Sequence, residues 1–223
     1  MNRTKLRDRS LPTYTRGEEI MNMVTHIAGG GLSVIAVALC LLKAALQQDL
    51  CAVITCGIYG LTLIAVYTMS GIYHGLRSGT AKKVMQVIDH CTIYFLIAGT
   101  YTPIVLCAIR PLFPVIGWGL FLWQWMLCAL AATLTAIDLK KYKAFSMVCY
   151  IGMGWSIIFF LPETLEAVSP AGFGFLLAGG IAYTVGAILF GIGKKVKWMH
   201  SIFHLFVILG SMLQWITVMF YVI

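Results

Sequence analysis

The sequence predicts an all-α, polytopic membrane protein with seven transmembrane helices, its N-terminus cytoplasmic and its C-terminus outside. Three observations carry this reading: 60% of the 223 residues are hydrophobic and only 11% charged, the mean hydropathy is +0.90, and the apolar residues fall into seven long segments. Ordinary soluble domains are roughly 45–50% apolar and about 25% charged, so the bilayer is the solvent this composition fits. The segments cover 20–42, 51–74, 84–108, 113–136, 144–161, 171–192 and 198–221. Most are long enough, at about 1.5 Å per residue, to cross roughly 30 Å of hydrocarbon as helices. Helices are required because a segment in lipid must satisfy its own backbone groups, and none of these runs shows the period-two alternation of a barrel strand.

Taken in order, residues 1–19 form a basic polar tail and 20–223 a single transmembrane domain. Thr15 followed by Glu18 reads as a capping box, and Glu18 and Glu19 suit the positive end of a helix dipole. The first helix is therefore expected to begin near Arg16, with both acids acting as caps. No apolar run with a small-residue cleavage site precedes it, so no cleaved signal peptide is expected. Pro103 lies inside the third segment and predicts a kink in its outer half. Pro111 and Pro114 separate segments three and four, while Pro162 and Pro170 bracket an outer loop between five and six. Tryptophans 118, 123, 155, 198 and 215 stand toward segment ends, as interfacial aromatics do. The seven cysteines show no metal-binding spacing. Cys51 and Cys56 both lie near the outer face, but five residues apart on a helix is poor disulfide geometry.

Charge supplies the orientation. Fourteen of the sixteen Lys and Arg residues fall in the N-terminal tail (Arg3, Lys5, Arg7, Arg9, Arg16) and in alternate loops: Arg77, Lys82 and Lys83; Lys140, Lys141 and Lys143; Lys194, Lys195 and Lys197. The other loops hold only Lys43 and Arg110. Short loops rich in Lys and Arg stay on the cytoplasmic side, which places this multi-pass protein in the cell membrane, plasma or inner, with its N-terminus inside. The net charge of +8 is spread over four loops and tails rather than gathered on one face, which excludes a nucleic-acid partner.

Apart from cysteine and tyrosine, the ionisable groups within the segments are Asp89 and the five histidines. His200 and His204 are spaced i, i+4, which puts both imidazoles on one helix face with β-carbons about 6 Å apart. His74 ends segment two at the cytoplasmic side, four residues after Ser70. With the orientation above, Asp89 lies roughly 8 Å deep and His200 and His204 roughly 3 and 9 Å deep, so all four groups share one cytoplasmic-side layer. Three histidines are a typical set for catalytic zinc, with water in the fourth position, so a Zn2+ site at His74, His200 and His204 is expected. Asp89 has no basic partner in its segment, and a buried carboxylate needs one; beside a metal and its water it would serve as orienter or general base. The bland alternative for the three histidines is a polar helix-packing network without metal. His26 and His90 read as hydrogen-bonded structural residues, with the alternative that His90 faces helix one and His26.

The stretches SGIYH (Ser70 to His74), DHCTIYFLIAGTYTP (Asp89 to Pro103) and HSIFH (His200 to His204), with THIAGG around His26, resemble the signature blocks of the progestin and adipoQ receptor family. Within it the chain looks most like the bacterial hemolysin III branch. The resemblance covers all seven segments and implies zinc held by His74, His200 and His204, with Asp89 and Ser70 beside the metal and its water. It also implies an inside N-terminus. Eukaryotic members are receptors and the wider superfamily includes membrane amidases, so the implied activity is zinc-dependent hydrolysis of a lipid amide or ester, with Asp89 taking a proton and Ser70 holding the water or oxyanion. The alternative is a non-catalytic sensor or regulator that binds a membrane lipid around a structural zinc. A pore-forming cytolysin fits least, since the outer halves of the segments offer almost no polar path.

Overall fold

A computed structural model describes residues 4, 6–193 and 196–223. Arg3, Lys5, Lys194 and Lys195, on which part of the charge argument rests, lie outside the described residues. Among the described residues every regular element is helical. Helix α1 spans Arg16–Leu46, α2 Leu50–Gly75, α3 Thr80–Pro103, α4 Pro114–Ile137, α5 Lys143–Trp155, α6 Leu161–Ile192 and α7 Met199–Thr217.

Local chemistry sets these boundaries. Thr15 is extended (φ −68°, ψ 160°) and its side chain accepts from the Glu18 amide, while Glu18 reaches back to the Thr15 amide, the reciprocal box expected before Arg16. Between α1 and α2, Gln48 turns the chain with φ 57°, and Asp49 caps α2 by accepting from the Ala52 amide at 2.9 Å. Regular α-helix ends at Pro103 in α3, and the chain continues as a π turn over Ile104–Ile109.

Among the described residues, six helical runs are long and apolar enough to cross a membrane: Arg16–Leu46, Leu50–Gly75, Thr80–Leu112, Pro114–Ile137, Lys143–Ile192 and Met199–Val222. Segments five and six of the sequence reading merge in the 50-residue run. The loop expected between Pro162 and Pro170 is helical instead. Pro162 sits in the first turn of α6, where its missing N–H costs nothing, and Thr164 Oγ1 bonds the Phe160 carbonyl at 2.7 Å. The run is broken at two points, a 3-10 stretch at Ser156–Phe160 and Ser169, whose φ 63° and ψ 162° leave the helical region just before Pro170.

The helices form a bundle in which α1 packs on α2 and α7, α7 on α6, and α3 on α2, α4 and α5. Close approach is provided where it is needed: a β-carbon on Gly29 would come within 2.7 Å of the Tyr67 ring, and Gly60 lies hard against Val37. Large apolar side chains point outward, Leu61, Val148 and Met126 among them, while Asn22, His26, Ser70, Gln124 and Gln214 are buried. This inversion of the soluble pattern is what a lipid-facing surface requires.

Candidate metal centre

The C-terminal turn of α2 and the N-terminal turns of α7 meet at one end of the bundle against the first turns of α1. His74, His200 and His204, each nine-tenths or more buried, converge there. His200 Nε2 lies 3.3 Å from His74 Nε2 and 3.2 Å from His204 Nε2. One ligand atom from each lies within 4.8 Å of those of the other two, so the trio could hold a metal ion.

Helix α1 orients two of these rings. Glu19 Oε2 accepts from His74 Nδ1 at 2.7 Å, which fixes the proton on that nitrogen and leaves the Nε2 lone pair facing the other histidines. The Asn22 carbonyl lies 3.3 Å from His204 Nδ1, and Thr25 Oγ1 lies 3.5 Å from the same atom. An imidazole that donates to a carbonyl through Nδ1 likewise turns its Nε2 lone pair inward. Asn22 is held in turn by the Ser201 hydroxyl, which donates to its Oδ1 at 2.6 Å. A proton on His200 Nε2 can be donated to only one of the two lone pairs that face it at 3.2–3.3 Å, and the trio is a donor set that could hold a metal ion.

Glu19 and Lys82 therefore do more than the sequence reading assigned to them. Glu19 is not a mere dipole cap, since its second oxygen accepts from Lys82 Nζ at 2.6 Å. Lys82, read as a loop charge, is buried and also donates to the Leu76 carbonyl. From outside the helices, Tyr14 stacks on His200 with ring centres 4.9 Å apart and meets His74 at 5.8 Å. Burial, reinforced by the nearby Glu19, raises the Tyr14 hydroxyl above its ordinary pKa and keeps it neutral.

Ser70 and Asp89 line the same internal cavity as His200 and His204. That cavity extends along Ile93, Leu96, Ile97 and Val207 to Tyr183 and Gln214, a largely apolar shaft. Asp89 is half-buried, with Oδ2 3.6 Å from His90 Nδ1. His90 donates from Nδ1 to the Gln86 carbonyl at 2.8 Å, the structural role expected, and its ring meets Phe190 of α6 rather than helix one. His26 departs from expectation. It is buried, stacks on His204 with centres 3.7 Å apart, meets Tyr67 edge-on, and neither ring nitrogen has a hydrogen-bond partner among the described residues. A signal for the α1 residues was present: Glu19, Asn22 and His26 recur at i, i+3 and i+7, a polar stripe on an otherwise apolar helix.

A family model described as "Haemolysin-III related" matches residues 14–215. The chain is similar to "Hemolysin-3" of Bacillus cereus, 37% identical over 207 residues, 92% of each chain. It is also similar to the "Hemolysin-3 homolog" of Bacillus subtilis (strain 168), 34% identical over 93% of this chain and 96% of that one. The human "Monocyte to macrophage differentiation factor" is 28% identical over 73% of this chain and 68% of its own length. With a family model matched from the segment before α1 to the last turns of α7, and two bacillary relatives above 30% identity along nearly their whole length, the chain belongs to the haemolysin-III related family of multi-pass membrane proteins.

Proposed function

We propose that this protein is a zinc-dependent membrane hydrolase that cleaves an amide or ester bond of a membrane lipid, with Zn2+ held by His74, His200 and His204. The observation that carries the reading is the spacing of the three Nε2 atoms. Tetrahedral zinc with nitrogens at about 2.0–2.1 Å holds its ligands about 3.3–3.4 Å apart, and the two measured separations are 3.3 and 3.2 Å. When bound, the metal would polarise a carbonyl and acidify a water. The chain's own residues would do the rest. Asp89, in the same cavity as His200 and His204, accepts the proton from the attacking water; Ser70, buried on α2, hydrogen-bonds the water or the developing oxyanion. The apolar shaft toward Tyr183 and Gln214 takes the acyl chain and keeps bulk water out.

The 50-residue run over 143–192 would be about 75 Å long as one straight helix, more than twice the hydrocarbon thickness, so it crosses twice, with the reversal at the breaks near 156–160 and Ser169. That makes seven crossings, an inside N-terminus, an outside C-terminus, and a metal site under the cytoplasmic leaflet of the cell membrane. Reporter fusions at the two termini, active on opposite sides, test it.

A second reading, a lipid sensor with a structural zinc, is favoured by the contacts that Tyr14 and the α1 side chains make with the trio. Elemental analysis of purified wild type beside His74→Ala, His200→Ala and His204→Ala comes first: about one zinc per chain, lost in each variant, is expected, and metal-free folded wild type overturns both readings. Stoichiometric zinc without turnover of any substrate in a panel of lipid amides and esters overturns the hydrolase alone.

A further inference from the structure

At the end of the bundle opposite the histidines, Cys51 in the first turn of α2 and Cys107 in the π turn after Pro103 bring their sulfurs to 3.6 Å. The pairing weighed in the sequence, Cys51 with Cys56, is not the one the fold makes: Cys56 is buried, whereas Cys51 and Cys107 are both half-buried. Two groups suit this pair to thiol chemistry. Arg110 Nη2 donates to Cys51 Sγ at 3.7 Å, and Thr55 Oγ1 lies 3.1 Å from Cys107 Sγ. The two residues are 56 apart in sequence and meet where the π turn after Pro103 packs against the first turn of α2.

We propose that Cys51 and Cys107 are a redox modification site: a dithiol that closes reversibly to a disulfide by exchange with a small-molecule disulfide of the glutathione type. The Cys51 thiolate attacks one sulfur of the small disulfide, forms a mixed disulfide and expels one thiolate. The Cys107 thiolate then attacks the Cys51 sulfur and expels the second. The two protons lost by the cysteines pass to the two released thiols, so two protein thiols and one small disulfide give one protein disulfide and two small thiols. The sulfurs need to close from 3.6 Å to about 2.05 Å. Closure ties the far end of α2, which carries Ser70 and His74, to the chain continuing from α3, which carries Asp89. It requires neither zinc nor hydrolysis.

The test is mass spectrometry of the full-length protein, reduced, purified in detergent and equilibrated with oxidised glutathione before alkylation. Loss of two of the seven alkylatable thiols, an intact mass lower by two hydrogens, and a linked peptide pair containing Cys51 and Cys107 are expected, all reversed by dithiothreitol. Cys107→Ser should instead retain one glutathione on Cys51. The wild-type map decides even if that variant fails to fold. An unchanged mass, an unresolved glutathione adduct on wild-type Cys51, or a link from Cys51 to Cys56 overturns the proposal.

Discussion

Two acidic side chains show how much one residue's surroundings change its task. Glu19 orients His74 through a 2.7 Å hydrogen bond while neutralising the buried Lys82. Removing its charge in Glu19→Gln should weaken zinc binding roughly 10- to 100-fold, because outer partners of a metal histidine typically carry that much affinity. Competition with a chromophoric chelator measures it, and an unchanged affinity would show that His74 needs no orienter. Asp138, just past α4, accepts from the Thr4 amide and from the Lys140 and Lys141 amides at 2.8–3.1 Å. Those donors, Thr4 first, outweigh burial and hold its carboxyl down to about 2, against an ordinary value of about 3.9. A depressed carboxyl stabilises the folded state above about pH 4 and loses that contribution as pH falls through about 2. Asp138→Asn should thus melt below wild type at neutral pH, and the gap in Tm should close between about pH 4 and 2; a gap independent of pH would refute the assignment.

Among the elements, α6 carries the most telling irregularity. Ser169, with φ 63° and ψ 162°, occupies a region that only glycine enters freely, at a cost of about 1–3 kcal/mol for other residues. Its hydroxyl returns little, accepting from the Gly172 amide at a long 3.4 Å, and a serine cap replaced by glycine loses only a few tenths of a kcal/mol. The strain term wins, so Ser169→Gly should stabilise the protein by about 1 kcal/mol in thermal unfolding, and a lower Tm would mean the cap outweighs the strain. The run containing this break also shows where pattern reading meets its limit. The prolines at 162 and 170 were legible as interruptions, but proline at a first helical turn starts a helix as readily as it ends one, and only the packing of Thr164, which is fully buried, decides which. For Pro103 the expected disruption appears, as a π turn rather than a simple kink.

At the scale of the whole molecule, the histidine trio joins α2 and α7, helices distant in sequence, at one buried point, so a bound metal should act on global stability. A ligand at 100 times its Kd that binds only the folded state contributes about 2.7 kcal/mol. Chelation should accordingly lower the Tm of the wild type in detergent and leave that of His204→Ala unmoved; equal responses would place the metal elsewhere.

The amino-acid sequence by itself determined the class of the molecule and the identity of the histidine trio. Composition and the length of the apolar runs leave only helices in lipid, and i, i+4 spacing and depth along a helix follow from helical geometry alone, so His74, His200 and His204 were readable as one layer. The tertiary structure decided what surrounds them. Glu19, Asn22 and Tyr14 face the trio, His26 stacks on His204, and Cys51 finds Cys107 rather than Cys56, because these contacts depend on the rotation and register of one helix against another. Periodicity defines a helix's apolar face, but the neighbour that a given polar side chain meets is set by close packing at glycines such as Gly29 and Gly60 and by the breaks at Pro103 and Ser169.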